Sequence, residues 1–274
     1  MIIPPQVTQC VVFIGCQKVD GTFVYLGTAF YYGIQPQADE AYPLYLVTAR
    51  HVLDKVRSEL LLDQVFIRVN LKDGTSTHYP ANISDWYIHP TDDSVDVAII
   101  RTGIPDEFDH IAVADQVCAT DEILTKHEVA LGDEVFITGL FRHHHGVKKN
   151  IPIARVGNLA SMLIPQIMTE HCGEIEAYLI EARSIGGLSG SPVFLNLGIT
   201  RSIQGQVKNA TSGKPIFYLL GLVHGHFDVR TTEIDDAIND DGLSVDKVNT
   251  GIAIVVPFQK IKEVVVLYEN QISN

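Results

Sequence analysis

Short apolar runs recur along the chain and are separated by turn residues. The runs are rich in β-branched and aromatic side chains, which favour strands, and they cover residues 11–15, 23–32, 44–48, 65–71, 97–100, 135–139, 177–181, 191–195, 217–223 and 251–256. Glycine, aspartate and asparagine occur in the segments between them. This regular spacing predicts an all-β chain folded as an antiparallel barrel or sandwich.

Two stretches have helical periodicity instead. Residues 52–62 and residues 257–269 both space their apolar side chains by three or four positions, which is typical of an amphipathic helix. The second stretch opens with Pro257, and proline is favoured in the first turn of a helix. We therefore expect one helix after the third apolar run and another at the C-terminal end.

Composition and charge narrow the function classes. The chain has 274 residues, of which 46% are hydrophobic, so it suits one large all-β domain or two small ones rather than a disordered chain. The formal net charge is -13. An acidic chain repels phosphate backbones and anionic lipids, so nucleic acid and membrane surfaces are not expected partners.

The N-terminal residues and the cysteines indicate the cellular compartment in which the protein is expected to work. Residues 1–6 lack the basic region and the long apolar region of a signal peptide. The four cysteines, at positions 10, 16, 118 and 172, have no spacing typical of a disulfide framework. These features predict a cytoplasmic chain of the bacterial intracellular type, although a mature chain without its leader would look the same.

The stretch 186–194, Gly-Gly-Leu-Ser-Gly-Ser-Pro-Val-Phe, carries the first candidate chemistry. Glycines around Ser189 allow backbone conformations that are closed to residues with a Cβ. Such a turn can present a hydroxyl and aim backbone N–H groups at one point, which acyl transfer requires. By itself the string is also compatible with an ordinary turn.

Two upstream stretches add a histidine and an aspartate. The stretch 47–53 puts His51 at the end of an apolar, strand-like run, and the stretch 94–100 puts Asp96 at the start of another. With Ser189 they resemble, in the same order, the Thr-Ala-x-His, Asp-(Ile/Val)-Ala-(Leu/Ile) and Gly-x-Ser-Gly-(Gly/Ser)-Pro motifs of the chymotrypsin/trypsin-like serine peptidases. Residues 131–139 and 251–257 resemble strands of bacterial HtrA-type trypsin-like domains. The resemblance does not extend to a following PDZ domain.

The resemblance implies a fold and an activity. The fold is two antiparallel six-stranded β-barrels with a C-terminal helix, in one peptidase domain over residues 1–274. Barrel one would cover about 8–110, the linker about 110–130, barrel two about 131–257 and the helix about 257–269. The activity would be serine endopeptidase chemistry on protein or peptide substrates through an acyl-enzyme, with no cofactor and no metal.

The resemblance also assigns roles to residues. Ser189 would be the nucleophile, His51 the general base and Asp96 the group that orients the imidazole. The backbone N–H groups of Gly187 and Ser189 would form the oxyanion hole. Asp92 and Asp93 are nearby rivals to Asp96. An α/β-hydrolase site is excluded, because it needs Gly-x-Ser-x-Gly and the order Ser, Asp, His.

One position departs from the family pattern and leaves an alternative open. Leu188 stands where zymogen-activated relatives carry an aspartate that pairs with a new N-terminus, so that activation route is not expected. Packing, or an unidentified activating partner, must then order the turn around Ser189, residues 186–190 (the serine turn). The alternative function is a peptide-binding or scaffold module on a peptidase fold, with weak or partner-gated hydrolysis.

The specificity pocket is assigned by analogy. Its base falls on Arg183 and Ser184, and one wall includes His224. Together these residues predict a preference for a carboxylate or amide side chain before the scissile bond. The competing interpretation is that Arg183 pairs with a surface acid and His224 only ends a strand.

The histidine triplet 143–145 and the acidic pairs 235–236 and 240–241 lack metal-ligand patterns and are expected to be solvated loops.

Overall fold

The computed structural model describes residues 3–18, 20–35, 43–182, 186–210, 216–230 and 247–273. Within these ranges the chain is built mainly of strands: β1 Val11–Gln17, β2 Phe23–Gly33, β3 Leu44–Thr48, β4 Gln64–Asn70, β5 Ser76–Asn82, β6 Tyr87–Ile88, β7 Ala98–Arg101, β8 Val113–Ala114, β9 Glu134–Gly139, β10 Ile153–Thr169, β11 Gly173–Glu181, β12 Pro192–Gly198, β13 Thr200–Ile203, β14 Gln206–Asn209, β15 Ile216–Arg230 and β16 Lys247–Pro257. The α-helices are α1 Arg50–Glu59, α2 Asp121–Lys126 and α3 Phe258–Ser273.

The first half of the chain forms one eight-stranded sheet. Its hydrogen-bonded order is β5-β4-β1-β2-β3-β7-β6, and the short β8 pairs in parallel with β2. The strands bury alternate or continuous apolar faces, as in β3, where Tyr45 and Val47 are fully buried. Such side chains stabilise the fold by about 1.5–3 kcal/mol each relative to exposure.

The second half forms a closed barrel of six strands in the order β10-β11-β16-β15-β12-β9. All neighbours in this barrel are antiparallel. Strands β10 and β11 continue as a long hairpin beyond their contact with the barrel, and the turn of that hairpin reaches the site described below. A small hairpin of β13 and β14 stands apart from the barrel ladder.

Helix α3 leaves the second barrel and packs against the first. Its buried side chains Phe258, Ile261, Val264 and Val265 belong to a core cluster that holds most buried side chains of the first sheet and several from the second barrel. The Phe258 ring contacts Tyr32 edge-on, with the ring centroids 5.8 Å apart. The C-terminal helix therefore ties the two halves of the chain together.

The predicted all-β, double-barrel class with a C-terminal helix is confirmed. The first half differs in detail, because it uses eight strands and, among the described residues, β5 and β6 do not pair to close the ladder. The acidic pairs 235–236 and 240–241 lie outside the described residues. No helix in the described part of the chain is long and apolar enough to cross a membrane.

Candidate active site

His51 lies in the first turn of α1, directly after strand β3 ends at Thr48. The helix forms here because Val52, Leu53 and Val56 share one buried face. That packing holds the start of the helix against the sheet and leaves His51 only 9% exposed. The histidine is therefore presented by a rigid element rather than by a loop.

Asp96 lies in the segment before β7 and is completely buried. Its Oδ1 accepts a hydrogen bond from the backbone N–H of His51 at 2.9 Å, and its Oδ2 lies 2.8 Å from His51 Nδ1. The rival Asp93 is turned away and pairs with Arg50 at 3.2 Å. Of the neighbouring acids, Asp96 is thus the one in contact with His51.

The protonation state of Asp96 follows from its partners. Burial alone raises the pKa of this carboxyl group, because it penalises the charged form. The attraction of His51 and the hydrogen bonds from His224 and His51 outweigh that effect and hold the pKa well below its ordinary value. Asp96 is therefore a carboxylate at neutral pH and can only accept hydrogen bonds.

The serine turn is held from both halves of the protein. Thr28, on β2, donates its hydroxyl to the Gly187 carbonyl and its backbone N–H to the Ser189 carbonyl, each at 2.9 Å. On the other side, the Gly190 N–H donates to the Val223 carbonyl at 2.8 Å. These bonds place Ser189 at the junction of the two barrels.

Two positions in this turn require glycine. Gly187 has a φ of 105°, and a Cβ there would lie 2.9 Å from a Leu140 side-chain carbon. Gly190 has a φ of 81°, and a Cβ there would lie 2.2 Å from the Thr28 carbonyl oxygen. Residues with side chains rarely adopt such φ values. Gly190 therefore allows the turn to approach the first sheet closely, and Gly187 allows it to pack against Leu140.

Leu188 is fully buried among the core residues of the second barrel. A buried apolar side chain thus occupies the position where zymogen-activated relatives carry an aspartate. The Leu188 carbonyl also accepts the backbone N–H of Ser191 at 2.9 Å. Of the two sources of order predicted for the turn, packing is thus present within the chain itself.

A cavity of about 250 Å³ is lined by both His51 and Ser189. Its walls come from α1, the serine turn, the far end of β15 and the β10–β11 hairpin. The lining includes His51, Arg142, Met168, Thr169, Glu170, His171, Gly186, Gly187, Ser189, His224, Gly225, His226, Phe227, Asp228 and Ile254. Within the described part of the chain, the backbone N–H groups of Gly187 and Ser189 donate to no other group.

The Ser189 hydroxyl is not bonded to His51 in this structure. It donates instead to the backbone carbonyl of His224, at 3.2 Å. His51 and Ser189 line the same cavity, and the His51 Nδ1 is bonded to Asp96, so Nε2 is the ring nitrogen left for a proton transfer. The structure brings the three predicted residues to one place with one of their two mutual hydrogen bonds formed.

Two further histidines contact His51 or Asp96, and the sequence motifs predicted neither contact. His224 Nδ1 lies 2.5 Å from Asp96 Oδ2. His171, in the β10–β11 turn, stacks on the His51 ring with the centroids 5.1 Å apart and the planes 11° apart. Neither contact has a local signal, because the partners are distant in sequence. Arg183 and Ser184 lie outside the described residues, and the substrate-binding role of His224 stays a prediction.

His51, Asp96 and His224 also form a compact group of potential metal ligands. The distances between the Asp96 oxygen and the two imidazole nitrogens, 2.8 and 2.5 Å, are those of hydrogen bonds. Ligands placed tetrahedrally about 2.0–2.2 Å from a zinc ion lie about 3 Å or more from one another. The group therefore reads as a hydrogen-bonded cluster.

Comparisons with known proteins rest on structure. No family model matches the chain, and no curated protein matches it. Among solved structures, the MamO protease domain from Magnetospirillum magneticum aligns with a TM-score of 0.52 at 16% identity, over 94% of this chain and 97% of that one. Deg5 aligns with a TM-score of 0.51 at 15% identity, over 94% of this chain and 88% of that one.

At sequence identities this low, the comparisons establish the fold but not the activity, which must be argued from the residues of the site. The aligned portions include both barrels, since almost the whole chain is covered. Together with the closed second barrel and the packed C-terminal helix, these likenesses identify the architecture. The chain has the trypsin-like, HtrA-type protease fold.

Proposed function

We propose that this protein is a serine endopeptidase that hydrolyses peptide bonds through an acyl-enzyme. The observation that carries the proposal is the pairing of a buried, ionised Asp96 with His51 at a cavity that Ser189 also lines. Because the carboxylate only accepts, His51 Nδ1 must carry the proton, which leaves Nε2 as a base. A base and a hydroxyl that line one cavity, with an orienting acid buried behind the base, are the parts that acyl transfer needs.

The steps follow from these groups. His51 Nε2 takes the proton of Ser189 Oγ as that oxygen bonds to the scissile carbonyl carbon. The resulting oxyanion is stabilised by the backbone N–H groups of Gly187 and Ser189. The C–N bond then breaks, and the leaving amine takes the proton from His51. Water repeats the sequence on the acyl-enzyme and restores Ser189.

The end of β15 offers a place for a peptide. Up to Leu222 this strand is paired on both sides, by β12 and by β16. Beyond Val223, among the described residues, only β16 remains as a strand partner, and residues 224–228 line the cavity. An extended peptide that added to this free edge would pass beside Ser189, as in other strand-addition complexes.

The hydroxyl must move before it can react. Rotation about the Ser189 Cα–Cβ bond exchanges the bond to the His224 carbonyl for one to His51. The bond that is lost is a long one, at 3.2 Å, and a neutral hydrogen bond contributes about 0.5–1.5 kcal/mol. A peptide bound on the same strand edge would compete with the Ser189 hydroxyl for the His224 carbonyl. The rotation therefore costs little free energy.

A fluorophosphonate probe tests the proposal on the intact protein. The wild type should be labelled covalently, and Ser189→Ala should not. Ser191→Ala is the matched control, because Ser191 is in the same stretch but fully buried. Labelling that is equal in the wild type and in Ser189→Ala would overturn the proposal. Cleavage-site profiling on a peptide library then separates hydrolysis from reactivity alone.

A second candidate is a peptide-binding or scaffold module with weak or partner-gated hydrolysis. The observation that favours it is the Ser189 hydroxyl, which is bonded to the His224 carbonyl and not to His51. Under this alternative, peptides would bind the isolated protein with equal affinity in the wild type and in Ser189→Ala, and turnover would stay near the background. Robust turnover by the isolated chain would exclude it.

Substrate preference and compartment complete the proposal. The residues assigned to the pocket by analogy, Arg183, Ser184 and His224, would favour Glu, Asp or Gln before the scissile bond, and a library profile dominated by basic residues would contradict this. All four cysteines are free thiols, and burial raises the pKa of Cys10 to about 12. Unpaired thiols fit a reducing compartment such as the cytoplasm, which cell fractionation would test.

A further inference from the structure

The carboxylate of Asp96 serves two imidazole rings. Its Oδ2 lies 2.8 Å from His51 Nδ1 and 2.5 Å from His224 Nδ1. Because Asp96 is an ionised acceptor, both nitrogens must be donors. The oxygen that orients His51 is therefore held in place by a second ring from the other half of the protein.

His224 reaches this position because of an irregularity in β15. The pairing with β16 shifts register between Val223 and Gly225, so His224 is the extra residue of a bulge. Bulges of this kind turn a side chain away from its regular direction and are common beside active sites. Here the side chain is 4% exposed and points to Asp96, while the backbone carbonyl of the same residue accepts the Ser189 hydroxyl.

The surroundings leave His224 little freedom. Its ring meets the His51 ring edge-on, with the centroids 5.0 Å apart. The centroid of the His171 ring lies 6.3 Å from that of His224. Strand β15 is anchored just before the bulge, since Val223 accepts from Gly190 and donates to Ser191 at 2.8 and 2.9 Å. The serine turn and the His224 ring are thus fixed by the same short piece of strand.

We propose that His224 is a positioning residue that acts through Asp96: its Nδ1–H fixes the carboxylate oxygen that orients the His51 ring. This inference rests on the proposed peptidase function for its kinetic consequence, and on the hydrogen bonds alone for its structural one. Loss of the His224 donor frees Oδ2 to move and loosens His51. A displacement of about 1 Å in a reacting group can lower the rate about 10²-fold.

Two conservative variants separate the donor from the bulk of the side chain. In His224→Asn the amide nitrogen takes nearly the place of Nδ1, so the donor to Asp96 is retained without an imidazole. In His224→Gln the amide nitrogen corresponds to Nε2 and overshoots Asp96. Thermal unfolding of both variants shows that each is folded before its activity is compared.

The kinetic readout is the labelling of Ser189 by a fluorophosphonate over a range of probe concentrations. We expect His224→Asn to keep the maximal labelling rate within a few-fold of the wild type, and His224→Gln to lower it about 10²-fold. The half-saturating probe concentration should change little in either. A wild-type maximal rate in His224→Gln, or equal losses in both variants, would overturn the positioning role.

A second readout does not depend on hydrolysis. Imidazole N–H protons bonded to a carboxylate appear at low field in the proton NMR spectrum. We expect two such signals in the wild type, one unshifted signal in His224→Asn and a displaced signal in His224→Gln. An unlabelled wild type with these spectra would refute the peptidase function and leave the positioning role intact. A His51 signal that does not move in His224→Gln would overturn the role itself.

Discussion

The hydroxyl of Thr28 donates to the carbonyl of Gly187 at 2.9 Å and accepts the backbone N–H of Leu140 at the same distance. Thr28 belongs to the first sheet, whereas Gly187 begins the serine turn of the second half. The bond is fully buried. It means that the geometry of the candidate oxyanion hole depends on contact between the two halves of the protein.

Thr28→Val should therefore destabilise the protein and disturb the serine turn. The change keeps the shape of the side chain but leaves a buried carbonyl and a buried N–H without a partner, which costs about 1–3 kcal/mol. Urea unfolding measures the loss of stability, and probe labelling measures the effect on Ser189. Thr28→Ser keeps the hydroxyl and is the control. Equal stability of the Val and Ser variants would contradict this account.

Leu188→Ala should cost more stability than a surface leucine does. Leu188 is fully buried in the second barrel, and truncation of a buried leucine costs about 2–5 kcal/mol. Leu131→Ala is the matched control, because Leu131 is 64% exposed and its loss should stay within about 0.5 kcal/mol. Chemical denaturation compares the two. If the two changes cost the same, packing of Leu188 does not order the serine turn.

Asp96→Asn should lower turnover by about four orders of magnitude while leaving substrate binding nearly unchanged. The amide cannot accept from both imidazoles, so His51 loses the tautomer that exposes Nε2 as a base. Steady-state kinetics on a peptide found by library profiling, or the labelling rate, measures this. Asp93→Asn is the control, since Asp93 is exposed and contacts Arg50. Wild-type turnover in Asp96→Asn would show that another group orients His51.

Asp96 should also make the stability of the protein depend on pH in the acid range. Its pKa in the folded protein lies below that of an unfolded aspartate, which is about 3.9. The unfolded chain then binds more protons, so the stabilisation is complete above about pH 5 and is lost as the pH falls below about 4. Urea unfolding between pH 5 and the acid limit should give a shallower slope for Asp96→Asn. Asp93→Asn serves as the charge-matched control, and parallel slopes for the wild type and Asp96→Asn would contradict the linkage.

His171→Ala should widen the cavity beside His51. The His171 ring covers one face of His51, and burial, followed by the charges of His51 and His224, lowers its pKa. Removal of the ring opens room for a larger substrate side chain next to the scissile bond, and a difference of one methylene in such a pocket changes the rate by about 10–200-fold. Paired phosphonate probes with small and bulky side chains measure the ratio. His143→Ala, outside the cavity lining, should leave that ratio unchanged.

Local sequence pattern determined much of the architecture. Apolar runs mark strands such as β3 and β9, because a buried strand needs a continuous or alternating apolar face. The helix that carries His51 and the C-terminal helix were also predicted from their periodicity. Strand β5 was missed, since its residues are mostly polar and half-exposed, and only its pairing with β4 holds it in the sheet.

For the candidate site too, some features could be predicted from the sequence and others required the tertiary structure. Motifs singled out His51, Asp96 and Ser189, because short strings beside strands report the local backbone that such residues need. Only the tertiary structure brought His224 to Asp96 and Thr28 to Gly187, across separations of 128 and 159 residues. Hydrogen bonds between distant segments depend on how two barrels dock and on a bulge in β15, and neither leaves a periodic trace in the sequence.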